Sequence, residues 1–300
     1  MVVALVGGCH WILPLSPLDD VGNGPLDATR DVATADGPGN TGDNGTPDQS
    51  RPDTATDGPR DLPAPDIGPP GFCNGITLYL PFDKDFLGAD GEQPQVSGTP
   101  TLVPGKFNQG ALLVDADLRY PAASNYSLSQ GTISIWIKPQ WSFPCQSSYA
   151  VFYGSVATSG TGSAGPYMAC DFKYTWLGVG NIGLQDEWRA AVVNTAAAKP
   201  YWNQNDWNHL VSTWSDKGTT TLGFVLNGDP GGNSKSSAST SVPWTPKNGP
   251  LGWLRLSNSN STYSADAAFD EVTVWNRMLS LQEIKAINGA GKPVGVLCGL

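Results

Sequence analysis

Acidic residues near the C-terminus are the first candidates for chemistry in this 300-residue chain. Apolar and polar residues alternate there in the run Asp270-Glu271-Val272-Thr273-Val274. This alternation predicts a strand with Asp270, Val272 and Val274 on one face. A carboxylate on an apolar face is tolerated only when it is paired, hydrogen-bonded or bound to a metal. The pattern therefore predicts a specific partner for Asp270.

Acidic residues can catalyse glycoside hydrolysis when two carboxylates lie about 5–10 Å apart across one cleft. No Glu-x-Asp-x-Glu run, which would place several acidic side chains on one strand face, occurs in the sequence. On the alternation, Glu271 lies on the opposite face from Asp270, and Glu283 has a helix-capping role. His209 has no nucleophile motif beside it, so we expect a packed structural histidine. The sequence favours a protein without catalytic residues.

Four cysteines, Cys73, Cys145, Cys170 and Cys298, remain when Cys9 is set aside. An even number favours disulfides in an exported protein. The absence of any Cys-x-x-Cys pair argues against a zinc site. We favour a Cys73–Cys298 bond, because these residues flank the whole domain and chain ends often lie close together. This choice leaves Cys145 to pair with Cys170, and free buried thiols are the alternative.

Tryptophan is abundant, and ten of the eleven Trp lie after residue 71. Sugars stack on Trp and Tyr rings, so exposed aromatic residues would indicate glycan binding, whereas most Trp of a β domain fill its core. Trp136 is the favoured binding residue, because it alternates with Ile133, Ile135 and Ile137 and is expected on the opposite, solvated face. The other candidate aromatic residues are Trp141, Tyr167, Trp176, Trp188 and Trp202.

Short strand-like runs separated by turn residues recur through the second part of the chain. Predicted strands cover residues 76–80, 111–114, 132–138, 149–153, 174–179, 188–193, 208–214, 220–226 and 253–256, with a final strand from residue 268. Asn227-Gly228 predicts a tight turn, since both residues tolerate positive φ. Ser280, three residues before Glu283, predicts a capped helix. The pattern indicates an all-β, two-sheet antiparallel sandwich with one short C-terminal helix.

Four segments resemble laminin-G-like jelly-roll domains of the concanavalin A-like lectin/glucanase superfamily. They are 78–83, which ends in Phe-Asp, 131–139, with Thr-Ile-Ser-x-Trp-x-Lys-Pro, 207–228, with Trp-x-His and then Asn-Gly, and 268–284, with Asp-Glu-Val and Asn-Arg-x-Leu-Ser. Together they span nearly all of residues 74–297. The resemblance implies a jelly roll, in a family of carbohydrate binders, adhesion modules and domains attached to enzymes.

The resemblance also implies a structural Ca²⁺ site. In many laminin-G-like domains an Asp at the position of Asp270 binds Ca²⁺ together with acidic residues of the opening loop. The corresponding ligands here are Asp83, Asp90 and Asp270, which are hard oxygen donors suited to this ion. Lys84 departs from the family pattern, in which a Gly often follows Phe-Asp. The alternative is a hydrogen-bonded Asp270 without a metal.

Residues 1–9 are short and apolar and end in Val6-Gly7-Gly8-Cys9. This segment resembles a bacterial lipoprotein signal, in which the cysteine becomes lipid-modified. The expectation is a membrane anchor at Cys9, with ordinary secretion or an accidental apolar N-terminus as alternatives.

Residues 10–72 are predicted to be a disordered acidic linker. Between residues 12 and 71 there are eleven Asp, three Arg, no Glu and no aromatic residue, and about a third of the positions are Pro or Gly. Such a composition buries too little apolar surface to offset the entropy of ordering the chain. We expect residues 73–300 to form the folded domain.

Charge and hydropathy narrow the class of partner. No basic patch occurs, so nucleic acid is not an expected partner, and no run of about 20 apolar residues predicts a membrane-spanning helix. The sequence predicts an exported, lipid-anchored or secreted protein that holds a non-catalytic binding module at the cell surface. Its expected ligand is a glycan or an extracellular protein. The alternatives are a structural or adhesion component without a small ligand and a glycoside hydrolase-like enzyme.

Overall fold

A computed structural model of the chain describes residues 71–143, 145, 150–158, 163–171, 176–182, 188–194, 198–215, 221–229 and 250–300. The lipidation predicted at Cys9 and nearly all of the predicted linker lie outside these residues. A short 3-10 helix, Gly71–Cys73, opens the described part, and its Phe72 is buried. Trp275 donates its indole N–H to the carbonyl of Phe72 at 2.6 Å. Folded structure therefore begins ahead of the boundary predicted at Cys73.

Antiparallel strands dominate the described residues. In chain order they are β1 Ile76–Leu80, β2 Gln95–Ser97, β3 Thr101–Pro104, β4 Gln109–Leu113, β5 Asp117–Pro121, β6 Gln130–Pro139, β7 Ala150–Ala157, β8 Ser163–Asp171, β9 Trp176–Ile182, β10 Trp188–Asn194, β11 Asn208–Ser215, β12 Thr221–Leu226, β13 Leu251–Ser257 and β14 Ala267–Trp275. Ten correspond to predicted strands; β2, β3, β5 and β8 have no predicted counterpart.

These strands form two sheets of seven strands each. Sheet A has the order β12-β11-β6-β14-β4-β3, and β1 pairs with β14 on the same edge as β4. Sheet B has the order β10-β9-β8-β7-β13-β5-β2. The predicted two-sheet antiparallel sandwich of the jelly-roll type is confirmed.

The hydrophobic core lies between the two sheets. Alternate residues of β6 point into it, so Ile133, Ile135 and Ile137 are all fully buried there. Trp214 of β11 packs against Gly131, where an added Cβ would overlap the indole ring. The alternation read from the sequence of β6 is therefore correct.

The alternation breaks in β14, and this break changes the position of Asp270. The pairing of β14 with β6 shifts its register between Asp270 and Thr273, and Glu271 has a φ of 52°. An extra residue in one strand of a pair is a β-bulge. Phe269 and Val272 consequently both belong to the core, while Asp270 pairs with the outward-facing Trp136. The predicted placement of Asp270 on the apolar face is wrong.

Two helices cover part of the outer face of sheet A. Helix α1, Leu281–Gly289, begins with the predicted capping box of Ser280 and Glu283. A second helix, α2 at Val294–Cys298, was not predicted. Their buried contacts with the sheet involve Phe72, Tyr79, Val211, Val225, Trp275, Leu279, Ile284, Ile287 and Val294. No helix among the described residues is long and apolar enough to span a membrane.

Glu271 fastens α2 to sheet A. Its side chain is buried, Oε1 accepts a hydrogen bond from the Tyr79 hydroxyl at 2.7 Å, and Oε2 accepts one from the Val294 amide at 2.7 Å. Burial raises the pKa of Glu271 to about 7, although the hydrogen bonds from Tyr79 and Val294 act in the opposite direction. Glu271 lies outward beside Asp270, because the bulge places both carboxylates on that side.

Both favoured disulfides are present. Cys73 is bonded to Cys298, with their Cα atoms 5.3 Å apart, and this bond joins the segment before β1 to the end of α2. Cys145 is bonded to Cys170, with 6.2 Å between the Cα atoms, which connects the segment after β6 to β8. The two bonds thus close one very long loop and one short loop.

The two disulfides should contribute unequally to stability. The outer bond spans 225 residues and the inner bond 25. On the chain-entropy model these loops correspond to about 5 and about 3 kcal/mol. We predict that replacing Cys73 and Cys298 by Ser lowers the free energy of unfolding more than replacing Cys145 and Cys170. Urea unfolding of both double variants measures this, and a larger loss for the inner pair would contradict it.

Glu271 should make stability depend on pH. Its pKa in the folded state lies above its ordinary value of 4.5, so the protonated form contributes stability that is complete below pH about 4.5 and is lost as the pH rises through about 7. Glu271→Gln keeps both hydrogen-bond partners, because the amide accepts from Val294 and donates to the Tyr79 hydroxyl. We predict that this variant loses less free energy of unfolding than the wild type between pH 5 and pH 7, by roughly 1.4 kcal/mol per pH unit, and that the difference levels off above pH about 7.

The measurement is urea unfolding at several pH values. Asp115→Asn, at an exposed carboxylate on a residue with positive φ, is the matched control and should follow the wild-type profile. Identical profiles for Glu271→Gln and wild type would rule out this role for Glu271.

Candidate functional site

The predicted calcium ligands do not form a cluster. Asp270 is fully buried, and its two carboxylate oxygens accept hydrogen bonds from the amides of Phe107 at 2.9 Å and Glu271 at 2.8 Å. Asp83 is partly buried, and its Oδ1 has no hydrogen-bond partner among the described residues. Asp90 is exposed. Within the described ranges no three His, Cys, Asp or Glu side chains come together as metal ligands.

Asp270 therefore has the arrangement of a hydrogen-bonded carboxylate. Its pKa is raised to about 8, mainly by burial, while the hydrogen bond from the Phe107 amide lowers the pKa and the negative charge of Glu271 raises it. Asp270 anchors the turn between β3 and β4 to the centre of sheet A. The described residues do not offer the ligand set that the family resemblance implies, and calcium binding stays a prediction.

The two adjacent carboxylates do not make a catalytic pair. Asp270 and Glu271 lie on the same side of sheet A, contrary to the strict alternation, but both are sealed from solvent. Their oxygens are occupied by backbone amides and by the Tyr79 hydroxyl. A glycosidic bond has no access between them, since hydrolysis requires the carboxylates to flank it in an open cleft.

Trp136 lies on the outer face of sheet A, as predicted, but this face is not solvated there. Only 7% of Trp136 is exposed. The Lys106 ammonium lies 4.4 Å from the centroid of the indole ring, and Phe107 contacts its edge at 6.4 Å between centroids. The turn between β3 and β4 thus covers Trp136, and the expectation of an exposed binding residue is wrong.

His209 packs beneath Trp136 as a structural residue. The two rings stack with centroids 4.8 Å apart, and a ring nitrogen, Nε2, lies 2.7 Å from the Ser134 hydroxyl. Burial lowers the pKa of His209 to about 3, so the imidazole is neutral at ordinary pH. The structure places His209 in the buried, packed surroundings that the sequence predicts.

The other candidate aromatic residues do not form an exposed platform. Trp141 and Phe143 both stack on Trp202, with centroid distances of 6.0 and 4.8 Å, and none of the three is more than 9% exposed. Tyr167 is 8% exposed. The side chains of the remaining two candidates, Trp176 and Trp188, lie outside the described residues.

The outer face of sheet B holds a site that the sequence analysis missed. Arg119 of β5 pairs with Gln95 on one side and with Arg255 of β13 on the other. Their chain neighbours, Leu118 and Leu254 among them, point into the core, so both guanidinium groups point outward. Both arginines are partly exposed. A row of polar side chains therefore crosses this sheet face.

The carboxylate of Asp117 lies beside these two arginines. Asp117 is fully buried and accepts hydrogen bonds from Arg119 Nε at 2.8 Å and Nη2 at 3.2 Å, and from the Ser259 amide at 3.2 Å. Arg255 Nε is buried and has no hydrogen-bond partner among the described residues. Burial lowers the pKa of Arg255, Asp117 raises it and the neighbouring Arg119 lowers it. The site thus carries more positive than negative charge.

A tryptophan lies next to the arginine pair. Trp253 is two residues before Arg255 on β13, so both side chains share the outer face, and Trp253 is partly exposed. It pairs with Pro121 of β5, which is exposed. We call Gln95, Arg119, Trp253 and Arg255 the Arg–Trp patch.

The sequence contained a weak signal for this patch. Arg119 stands between Leu118 and Tyr120, and Arg255 between Leu254 and Leu256, which marks both arginines as outward residues of strands. Their cross-strand pairing brings together residues 136 positions apart, and only the sheet order of the folded chain reveals it.

Solved structures share this fold. The binding domain of Paraclostridial Mosquitocidal Protein 1 is 13% identical, with a TM-score of 0.57 over 73% of this chain and 52% of that chain. The receptor-binding domain of botulinum neurotoxin D is 10% identical, with a TM-score of 0.56 over 73% and 53%. The binding domain of botulinum neurotoxin DC in complex with SialylT is 12% identical, with a TM-score of 0.56 over 73% and 52%.

The present chain spans about half the length of these structures, and the likeness shows the fold alone. Among curated proteins no match to the chain was found. A family model of the laminin-G type, described as concanavalin A-like lectin/glucanases superfamily, matches residues 114–285. This match covers more than half of the chain and includes both arginines of the Arg–Trp patch. The chain belongs to the concanavalin A-like lectin/glucanase superfamily.

Proposed function

We propose that this domain is a non-catalytic glycan-binding module at the cell surface. The observation that carries the proposal is the Arg–Trp patch, in which a partly exposed tryptophan lies beside two partly exposed arginines on one sheet face. An indole ring stacks on the apolar face of a sugar, and guanidinium groups donate hydrogen bonds to sugar oxygens. Trp253 and Arg255 supply these two functions two residues apart.

The distribution of burial favours binding through sheet B. The outer face of sheet A is occupied by α1, α2 and the turn at Lys106 and Phe107, which leave Trp136 and Trp275 buried. The carboxylates Asp270 and Glu271 are sealed within that cover. Of the two outer faces, sheet B therefore offers the more accessible polar and aromatic side chains in the described part, and recognition without hydrolysis is the function that we infer.

The comparisons are compatible with a glycan ligand. The family is described as lectins and glucanases, and one structure of similar fold is a binding domain in complex with SialylT. These descriptions belong to the other proteins and support the proposal by analogy of fold.

Surface location is part of the same proposal. The two disulfides fit an oxidising, extracytoplasmic compartment. The proposal includes attachment to the membrane through a lipid on Cys9. Movement of a Cys9→Ala variant from the membrane fraction to the soluble fraction would support this attachment. Unchanged membrane fractionation of Cys9→Ala would contradict the anchor.

Glycan binding should depend on Trp253. We predict that the full chain binds a defined subset of a glycan array and that Trp253→Ala weakens this binding at least tenfold, because the stacking surface is lost. Tyr201→Ala removes an aromatic ring that is 36% exposed elsewhere in the domain and is the matched control. Near-UV circular dichroism verifies that each variant is folded.

Two results would count against this function. The first is that the wild type fails to bind any glycan on the array. The second is that folded Trp253→Ala binds as tightly as Tyr201→Ala. Binding of an extracellular protein in place of a glycan would point to the alternative class of ligand and overturn the proposal.

Calcium remains a separate proposal that concerns stability. If Asp270, helped by Asp83 and Asp90, holds Ca²⁺, the ion at about 100 times its dissociation constant adds roughly 2.7 kcal/mol to the free energy of unfolding. The melting temperature would then rise with Ca²⁺ and fall with chelator, and Asp83→Asn would abolish the difference. A melting temperature that responds to neither reagent would contradict calcium binding.

A further inference from the structure

We infer that the Arg–Trp patch selects acidic glycans, whose carboxylate or sulfate group pairs with Arg255. This inference rests on the proposed glycan-binding function and deepens it by naming the chemical class of the ligand. Three features of the patch carry it: the charge balance, the unpaired donor and the position of the tryptophan.

The charge balance of the patch calls for an external anion. Arg119 and Arg255 are direct cross-strand partners, and like charges in such positions destabilise a sheet. Asp117 offsets one of the two charges, but its oxygens are already occupied by Arg119 and the Ser259 amide. Asp117 and Arg119 are the charged groups of the described part that act on Arg255. An anionic ligand would neutralise the remaining charge.

The second feature is the unpaired hydrogen-bond donor of Arg255. Arg255 Nε lacks a partner among the described residues, although it is shielded from solvent. A buried donor without an acceptor costs stability, so a retained one is typical of a site that binds something. The planar guanidinium group matches the paired oxygens of a carboxylate or sulfate, which it binds through two parallel hydrogen bonds.

A glycine lies beside Arg255 on the neighbouring strand. Gly154 of β7 is the cross-strand partner of Arg255 on the side away from Arg119. A Cβ added at Gly154 would lie 4.0 Å from Arg255 Nη2. Gly154 itself is buried, and a Cβ there would also lie 3.9 Å from the Cβ of Tyr167. A larger side chain at Gly154 would therefore crowd the guanidinium group of Arg255.

Trp253 fixes where the sugar ring would lie. Residues i and i+2 of a strand project to the same face about 7 Å apart, which is close to the size of one sugar ring with its substituent. A ring stacked on Trp253 consequently places an acidic substituent within reach of Arg255. The patch thus combines an apolar contact common to many sugars with an ionic contact restricted to acidic ones.

The test compares matched acidic and neutral sugars on the full chain. Sialyllactose and lactose form one pair, glucuronate-containing and glucose-containing oligosaccharides form another, and a sulfated oligosaccharide with its unsulfated parent forms the third. We expect the wild type to bind the acidic member of at least one pair ten times more tightly, and 0.5 M NaCl to reduce this preference. The three pairs separate carboxylate from sulfate recognition.

Three variants assign the preference to the patch. Arg255→Gln should reduce the acidic-to-neutral ratio at least tenfold, and Gly154→Leu should reduce it by crowding the guanidinium group without changing the charge. Lys285→Gln removes one exposed positive charge from α1 and should leave the ratio unchanged. Arg119 is not varied, because its loss would leave the buried Asp117 unpaired.

The outcomes separate this inference from the proposed function. Equal binding of acidic and neutral sugars, or an unchanged ratio in folded Arg255→Gln, overturns selection of acidic glycans while glycan binding itself stands. Absence of binding to every sugar overturns both. Loss of the ratio in Lys285→Gln as well as in Arg255→Gln would indicate bulk charge and would also overturn the inference.

Discussion

The β-bulge in β14 is the constraint on which the arrangement of sheet A depends. It occupies the centre of the sheet, where one edge of β14 pairs with β4 before the bulge and with β1 after it. The extra residue turns Asp270 and Glu271 to the outer face and returns Val272 to the core. Asp270 then binds the turn between β3 and β4, and Glu271 binds the start of α2. One local irregularity thus positions both segments that cover this sheet.

Because the outer face of sheet A is covered, the outer face of sheet B is the surface on which the proposed recognition depends. The outer face of sheet A has become a second hydrophobic cluster in which Trp275, Val211 and the helices pack together. Trp136 and His209 extend this packing toward the β3–β4 turn. Sheet B keeps partly exposed charged and aromatic side chains at the Arg–Trp patch. The outer face of sheet A is therefore packed against other parts of the domain, and the outer face of sheet B keeps the side chains on which the proposed function depends.

Sequence periodicity predicted the elements well and the faces only partly. Ten strands, the capped helix, the Asn227-Gly228 turn and the core face of β6 followed from alternation and turn chemistry, which are local properties. Alternation failed at Asp270, because a bulge inserts one residue without a clear local signature, and Glu271 adopts positive φ without being Gly. Alternation placed Trp136 on the correct face but could not predict its burial, because the turn that covers the ring comes from residues about 30 positions earlier. The patch was missed for a related reason, since Arg119 and Arg255 meet only through sheet order.

The bond between Cys73 and Cys298 has a mechanical consequence. It joins the first folded turn to a residue two positions from the end of the chain, and it lies beside the cluster of helices on sheet A. Tension that arrives through residue 71 is therefore divided between β1 and α2, so neither can be peeled away from the sheet alone. The Arg–Trp patch lies on the opposite side of the sandwich from this bond. If the domain were pulled at Cys73 while a ligand was bound on sheet B, the force would be distributed across the core between the two sheets. It would not be transmitted along a single strand.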